Sequence, residues 1–286
     1  MEFTYTNHYK RIEAEFNEKI CFWFIGDIHR DTPQCDKERW DDCLKKIKES
    51  FNEFKQVYIF GMGDYHDFVS FSEQAKIRAS NLHDTTIARL DLDVQERNRK
   101  FANECSFMRD HFLGLIEGNH SWTFKEGKTS TEDLAERLGT VCLGWLSYFR
   151  LSIKLNKLNK YAKIDFCLCH GKAGGKTAGV TFNQVDEMRK VFPVADVYCF
   201  GHDHQRGVLP QSILVATDGN FTIKQKRQFL CRSGSFKRAY MENTSGYEIG
   251  RLLKPSDLGA LQLIVYIRRE KRNKQDFCIT EIEGRV

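Results

Sequence analysis

Short apolar runs that stop at glycine and then at a polar side chain recur along this sequence. In the clearest example, residues 57–60 (VYIF) lead through two glycines to Asp64. Uninterrupted β-favouring residues predict a buried strand, and the glycines mark its end. The same pattern occurs in the segments 22–29, 112–120, 164–171 and 197–204. Because open α/β sheets place their chemistry at the carboxyl ends of strands, we expect these five strands to deliver Asp, His and Asn side chains to one edge.

Helices are predicted between several of these strands. In residues 36–54 the apolar positions recur at spacings of four, three and four, at Trp40, Leu44, Ile47 and Phe51. This spacing predicts an amphipathic helix, and with a strand on each side it predicts a parallel βαβ unit. The stretch from about 71 to 110 has a helical pattern and is much longer than an ordinary loop. We predict a helical insertion there, which either caps the site or covers the sheet.

The rest of the chain predicts two more helices and a strand-rich second half. Ser130 is the expected N-cap of a short helix that runs to Leu138, and another helix is expected over 181–192. Candidate strands of the second half are 208–217, 227–233, 261–268 and 277–282. Residues 1–19 carry no clear signal and are assigned to an arm or an edge strand.

Length and composition fit a single globular domain. The 286 residues lie within the range of one α/β core with an insertion, and no repeat or linker divides them. The first residues lack a signal-peptide pattern, and no apolar run reaches the roughly 20 residues of a membrane helix. We therefore expect a cytoplasmic protein without a membrane partner, whose oligomeric state the sequence leaves open. Ten cysteines without a CxxC pair predict reduced thiols.

Seven polar residues follow the five predicted strands. They are Asp27, His29, Asp64, Asn119, His170, His202 and His204. Any one of them alone is best explained as a turn residue or a hydrogen-bonding partner, but seven at five strand ends indicate a metal site. Carboxylate, imidazole and amide donors suit Mn²⁺, Fe or Zn²⁺ better than Ca²⁺. Because seven ligands exceed one tetrahedral site, we predict two divalent ions, with Mn²⁺ as first choice and Fe, Zn²⁺ or Ni²⁺ as alternatives.

The motifs that contain these residues resemble the calcineurin-like metallophosphoesterase superfamily. In chain order they are D-x-H from Asp27, G-D-x-x-D from Gly63, G-N-H from Gly118, H-G from His170 and G-H-x-H from Gly201. The resemblance implies an α/β fold, a four-layer sandwich of two mixed β-sheets flanked by helices, with a binuclear metal centre. Short chains with this arrangement are similar to the prokaryotic or phage members of the superfamily.

The same resemblance implies a role for each motif residue. One ion would be held by Asp27, His29, Asp64 and His204. The other would be held by Asp64, Asn119, His170 and His202. Asp64 would therefore bridge the two ions, and His120 is similar to the family's catalytic histidine, which protonates the leaving oxygen. Many relatives follow this histidine with an acidic residue that orients it, whereas Ser121 stands here, so another group must orient His120. His66 and Asp67 are expected to support the ligands.

The activity that the resemblance implies is hydrolysis of a phosphate ester by a water whose pKa two ions lower. We favour a phosphodiesterase or nuclease that acts on nucleic acid or nucleotides. A phosphomonoesterase similar to the Ser/Thr protein phosphatases is the first alternative. A non-catalytic scaffold with the same fold is the second, although such scaffolds generally lose ligands and all seven positions are filled here.

The preference for nucleic acid comes from the basic residues, whose excess gives a net charge of +5. The candidate substrate-binding residues are Lys172, Lys176, Arg206, Arg232 and Lys237. Phe229, Phe236 and Tyr240 are interleaved with the late basic residues, and basic side chains with stacking rings are the pairing that binds single strands. The alternative is an ordinary outer sheet with its charges facing water. The glycines around Lys172 and Lys176 imitate a P-loop, but His170 occupies the position where that motif requires glycine.

Overall fold

The computed structural model describes residues 8–69, 71–80, 83–155, 160–172, 178–217, 222–241, 252, 254–272 and 275–286. The strands are β1 (His8–Ala14), β2 (Lys19–Ile25), β3 (Gln56–Gly61), β4 (Phe112–Ile116), β5 (Cys142–Gly144), β6 (Leu146–Leu155), β7 (Lys160–Cys169), β8 (Val197–Phe200), β9 (Arg206–Thr217), β10 (Thr222–Ser233), β11 (Leu261–Arg272) and β12 (Gln275–Arg285). The helices are α1 (Lys37–Glu53), α2 (Phe71–Ala79), α3 (Asp84–Glu104), α4 (Ser130–Leu138) and α5 (Ala178–Val191), with a 3₁₀ turn over Ser106–His111.

The strands form two six-stranded sheets. Sheet I has the order β1-β6-β7-β8-β10-β9, and sheet II has the order β12-β11-β2-β3-β4-β5. Each contains parallel and antiparallel pairs: β7 and β8 run parallel to each other in sheet I, while β6 and β7 are antiparallel. In sheet II, β2, β3, β4 and β5 are parallel and β11 joins β2 in the antiparallel direction. The predicted fold class of two mixed sheets is confirmed, and β1 is the edge strand predicted near the start.

Aromatic side chains fill the space between the sheets. Phe22 and Phe60 of sheet II pack against Phe166 and Phe149 of sheet I, and the ring centroids of Phe22 and Phe166 lie 5.2 Å apart. The outer face of sheet II is covered by α1, α3 and α4, each of which contributes buried residues to one hydrophobic cluster there. The outer face of sheet I is covered by α5, through Val185. The order is therefore helices, sheet, sheet, helix, which is the predicted four-layer sandwich.

The helix boundaries agree with the apolar pattern except at two places: α5 begins at Ala178 and not at 181, and one cap differs. Asp36 precedes α1 and its side chain accepts a hydrogen bond from the N–H of Arg39 at 3.1 Å. At α4 the N-cap is Thr129 and not Ser130, because Thr129 and Glu132 form a reciprocal capping box. The Ser130 hydroxyl instead accepts from the N–H of Trp122 at 3.0 Å. The prediction of Ser130 as the N-cap is therefore wrong by one residue.

The predicted insertion consists of α2, α3 and the 3₁₀ turn. Helix α3 is attached to the loop that follows β2 by two ion pairs: Arg97 with Asp31 at 2.6 Å, and Arg30 with Glu104 at 3.0 Å. In the described part of the chain no helix is long and apolar enough to cross a membrane. Every cysteine whose side chain the structure describes is a free thiol.

Candidate metal centre

The polar motif residues lie in loops at the carboxyl ends of strands from both sheets. The loops after β2, β3 and β4 of sheet II carry the first three motifs, and the loops after β7 and β8 of sheet I carry the other two. The sequence predicted that these residues lie at one edge of one sheet. In the structure they come from two stacked sheets. The site therefore lies where the loops of both sheets meet.

Five of the seven residues have left-handed backbone conformations. The φ values are 49° at Asp27, 46° at His29, 48° at Asp64, 70° at His202 and 55° at His204. Such conformations are costly for residues other than glycine and are concentrated at functional sites. Backbone hydrogen bonds between the loops after β2 and β3 stabilise these conformations. The N–H of Asp27 donates to the carbonyl of Gly63 at 2.9 Å, and the N–H of His29 donates to the carbonyl of Asp64 at 3.1 Å.

Two groups of ligand-type atoms are formed in this way. The first contains Asp27, His29 and His204, and the second contains Asp64, His170 and His202. In the first group, Oδ1 of Asp27 lies 3.5 Å from Nε2 of His204. The other carboxylate oxygen of Asp27 accepts a hydrogen bond from the N–H of His202 at 2.8 Å, which fixes the direction of Oδ1.

In the second group the donor atoms surround Nε2 of His170. Around it lie Oδ2 of Asp64 at 3.2 Å, Oδ1 of Asn119 at 3.0 Å and Nδ1 of His202 at 3.1 Å. Nδ1 of His170 lies 2.8 Å from the carbonyl oxygen of Met62, so this second nitrogen is oriented by the backbone. A histidine held through its other ring nitrogen is the usual arrangement in metal sites.

Asp64 faces both groups. Its Oδ2 lies 3.2 Å from Nε2 of His170 and 3.9 Å from Nε2 of His29, and its Oδ1 accepts a hydrogen bond from the N–H of His120 at 3.0 Å. Gly118 makes this position possible, since a Cβ there would lie 2.0 Å from Oδ1 of Asp64. The carboxylate is therefore placed between the two ligand groups, as a bridge would require.

The pKa values of the carboxylates and imidazoles in the site depend on one another. Burial opposes ionisation of Asp64, but the neighbouring His170 and His29 outweigh it, so the pKa of Asp64 lies well below its usual value. Burial lowers the pKa of His170, and the charge of Asp64 more than reverses this, raising it to about 9. Burial and His170 together lower the pKa of His202 to about 4. The charged form of Asp64 and that of His170 therefore stabilise each other, while His202 is held neutral beside them.

This donor set fits divalent metal ions. Oδ1 of Asp27 and Nε2 of His29 are buried polar atoms without a hydrogen-bond partner, an arrangement that normally carries a free-energy cost. A cation between these atoms would satisfy both of them. Mixed oxygen and nitrogen donors are the ligands preferred by Mn²⁺, Fe and Zn²⁺.

His120 is oriented by Asp67. Nδ1 of His120 lies 2.5 Å from Oδ1 of Asp67, while Oδ2 of the same carboxylate lies 3.5 Å from Nδ1 of His29 and 3.2 Å from Nζ of Lys237. Burial opposes a charged imidazole at His120, but its bond to Asp67 and the charge of Asp64 outweigh burial, so the pKa of His120 is raised. Asp67 is therefore the group that orients His120, in place of the acidic residue that many relatives have at the position of Ser121.

His66 belongs to neither ligand group. It is buried, and its ring stacks on Phe68 with centroids 4.8 Å apart and meets Phe101 of α3 edge to face. Burial lowers the pKa of His66 to about 4, so the neutral form is favoured. Its contacts are those of a residue that holds the loop after β3 against the helical insertion.

The candidate substrate-binding residues occupy different environments. Lys172 is exposed, whereas Lys176 lies outside the described residues. Arg206 is half-buried, with Nη2 3.5 Å from Oδ1 of Asp257. Lys237 is buried and lies close to the centre through its ion pair with Asp67.

Arg232 is fully buried. Its guanidinium donates to the carbonyl of Thr181 in α5 at 2.7 Å and to the carbonyl of Gly201 at 3.0 Å, and it lies 3.5 Å from the carboxylate of Asp203. These acceptors hold the loop that carries His202 and leave no surface for a substrate. We therefore replace the substrate-binding interpretation of Arg232 with a structural one.

Replacing Arg232 with methionine is expected to reduce the free energy of unfolding by about 3–5 kcal/mol, because it leaves the buried carboxylate of Asp203 without its guanidinium and removes the hydrogen bonds to two carbonyls. Denaturant unfolding would measure this change. The matched control is Arg227→Met, since Arg227 is exposed on the same strand, and a change within about 0.5 kcal/mol is expected there. An Arg232→Met protein of unchanged stability would contradict the structural role.

The aromatic residues proposed to stack on bases are mostly internal. Phe229 is buried between the sheets, and Phe236 is buried with its ring centroid 5.0 Å from that of Trp40. Tyr240 is exposed. Phe229 and Phe236 are therefore part of the core.

One aromatic residue at the centre carried no signal in the sequence. Trp145, between β5 and β6, lies beside His170, with ring centroids 5.7 Å apart and planes inclined at 77°. Its exposed fraction is 39%. No spacing or motif marks this tryptophan, because only the pairing of β6 with β7 brings it next to the end of β7.

The chain matches no protein-family model and no curated protein sequence. Among solved structures, a single mutant of Vps29 from Entamoeba histolytica is similar with 10% identity and a TM-score of 0.37, over 92% of this chain and 99% of that one. A protein from Streptococcus pneumoniae described as a predicted phosphoesterase has 13% identity and a TM-score of 0.32, over 93% and 98%. GAP50, described as the anchor in the inner membrane complex of Plasmodium, has 11% identity and a TM-score of 0.39, over 92% and 88%. Similarities this low carry no argument about function, which depends here on the site itself.

Proposed function

We propose that this protein is a phosphoesterase that depends on two divalent metal ions. The observation that carries the proposal is the position of Asp64, whose Oδ2 faces His29 of one ligand group at 3.9 Å and His170 of the other at 3.2 Å. One ion would be held by Asp27, His29, Asp64 and His204. The other would be held by Asp64, Asn119, His170 and His202. Mn²⁺ is the first choice for this donor set, with Fe, Zn²⁺ and Ni²⁺ as alternatives.

When bound, two such ions would lower the pKa of a water and neutralise charge on the phosphoryl oxygens. In the overall reaction the water oxygen forms a bond to phosphorus and the bond from phosphorus to the leaving oxygen breaks. The leaving oxygen then needs a proton. His120 is placed to deliver it from Nε2, because Asp67 engages Nδ1 and keeps the imidazole oriented.

Among the residues that the structure describes, three arginines near the motif loops are already engaged by other groups, which favours a phosphodiester over a phosphomonoester. A monoester dianion is typically bound by bidentate guanidinium groups. Arg30 is already paired with Glu104, and Arg97 with Asp31. Arg232 is turned to backbone carbonyls. A diester carries a single negative charge, so fewer cationic side chains are needed to neutralise it.

The intact ligand groups support an enzyme over a non-catalytic scaffold. A protein that binds no metal would gain nothing from strained backbone at five ligand positions or from buried polar atoms without hydrogen-bond partners. Both features are costly for stability, and ion binding would offset that cost.

The test is elemental analysis after dialysis against Mn²⁺, followed by assays with bis(p-nitrophenyl) phosphate and p-nitrophenyl phosphate. We expect about two equivalents of Mn²⁺ per chain, as the two ligand groups require, and faster hydrolysis of the diester. One equivalent or less at saturating Mn²⁺ would contradict the binuclear centre. Failure to hydrolyse either ester with both ions bound would favour the scaffold.

A further inference from the structure

Trp145 differs from the other tryptophans of the chain. Trp23, Trp40 and Trp122 are buried, with exposed fractions of 7%, 0% and 4%, whereas Trp145 exposes 39%. A large aromatic ring that stays in water loses the favourable free energy of burial, and such rings are enriched where a partner covers them. Exposed aromatic rings also occur at Tyr9, Tyr161 and Tyr240, but at Trp145 the exposed ring lies next to a ligand residue, His170.

Trp145 lies beside the second ligand group. Its carbonyl accepts a hydrogen bond from the N–H of His170 at 3.4 Å, and its indole meets the imidazole of His170 at a centroid distance of 5.7 Å. The pairing of β6 with β7 ends at Leu146 and Cys169, the chain neighbours of Trp145 and His170, so it places the indole beside the second ligand group. An organic group attached to a phosphate at that ligand group would lie next to the indole.

The ring of His120 lies next to the first ligand group. Its ring is 5.3 Å from that of His29, which belongs to the first ligand group. A leaving group that takes its proton from His120 would depart on this side. The part of the ester that stays on the phosphate would then extend toward His170 and the indole of Trp145.

We propose that Trp145 stacks on the base of a nucleoside whose phosphodiester is cleaved at this centre, and that it holds the nucleoside that remains on the phosphate. This proposal rests on the proposed function. A planar base is the favoured occupant because an indole face binds any base by stacking, without a need for base-edge hydrogen bonds. The expected products are a nucleoside monophosphate and the free alcohol of the leaving group.

The experiment compares three esters that share a nitrophenolate leaving group. They are thymidine 5′-(p-nitrophenyl phosphate), the corresponding ester of abasic deoxyribose, and methyl p-nitrophenyl phosphate. Trp145→Ala is expected to lower kcat/KM for the thymidine ester by about 5- to 150-fold, the range for loss of one stacked base, and to leave the other two unchanged. Trp145→Phe should retain most of the rate, because a smaller ring still stacks.

Binding of products gives a readout that does not depend on turnover. Trp145→Ala should weaken the affinity for thymidine 5′-monophosphate, measured by calorimetry, by a similar factor, and leave that for methyl phosphate unchanged. Tyr161→Ala is the matched control, since Tyr161 is an exposed aromatic residue near the opposite end of β7 and should have no effect on either measurement.

The outcomes separate the two proposals. If the wild-type protein with bound metal hydrolyses none of the esters, the proposed function fails and the stacking proposal fails with it. If all three are hydrolysed and Trp145→Ala lowers their rates equally, or lowers none, the phosphoesterase assignment stands and base stacking is rejected. An equal loss for the thymidine and abasic esters would replace base stacking with a contact to the sugar.

Discussion

Replacing Asp64 with asparagine is expected to weaken the binding of both metal ions and to remove most of the activity. The carboxylate lies between the two ligand groups, so the substitution takes a negative charge from each of them at once. Loss of a residue that merely supports a ligand costs about 10- to 100-fold in metal affinity or activity, and loss of a bridging ligand should cost at least as much. Elemental analysis and hydrolysis of bis(p-nitrophenyl) phosphate would measure the two effects.

The control for this substitution is Asp110→Asn, the same chemical change at an exposed position in the 3₁₀ turn before β4. It should keep both ions and full activity. An Asp64→Asn protein that retains two tightly bound ions would show that Asp64 does not bridge.

Replacing His120 with alanine is expected to lower the rate by about 10²- to 10⁴-fold while both ions stay bound. This range applies to a substrate with a poor leaving group such as an alkoxide, which must be protonated as it departs. The loss should be smaller for a nitrophenolate ester, because nitrophenolate leaves without a proton. The measurement is kcat for a matched pair of alkyl and nitrophenyl diesters.

Two results would remove His120 from the role of proton donor. An equal loss for both diesters would indicate that the imidazole positions the substrate. A loss of metal after His120→Ala would indicate that the imidazole ring itself helps to hold the ions, since the backbone N–H that donates to Asp64 is retained in the variant.

Local sequence pattern was sufficient to predict most of the elements. The apolar spacing in α1 and the apolar runs of β2 and β3 are patterns among residues that are close together in the chain. A short window of sequence therefore contains the whole signal. The N-cap of α4 was predicted one residue late, because Ser130 and Thr129 are chemically equivalent candidates. Only the backbone conformation decides which hydroxyl faces the N–H of Glu132.

Burial of individual side chains was harder to predict. Arg232 and Phe236 looked like surface residues of a basic segment, but both are fully buried. Their environments are made by residues far away in sequence: the carbonyl of Thr181 accepts from Arg232, and the ring of Trp40 packs against Phe236. A charge pattern cannot distinguish a guanidinium that faces water from one that is held by backbone carbonyls.

The sequence by itself determined which chemical groups the centre contains. Carboxylates, imidazoles and an amide at strand ends are properties of the residues and of their place after apolar runs, so Asp27, Asp64 and His170 were recognisable without coordinates. Tertiary structure alone decided which groups meet. The stacking of two sheets divides the ligands between them, brings Asp67 to His120, and exposes Trp145 beside His170. The physical reason is that these contacts join segments separated by many residues, and packing of the whole chain sets their distances.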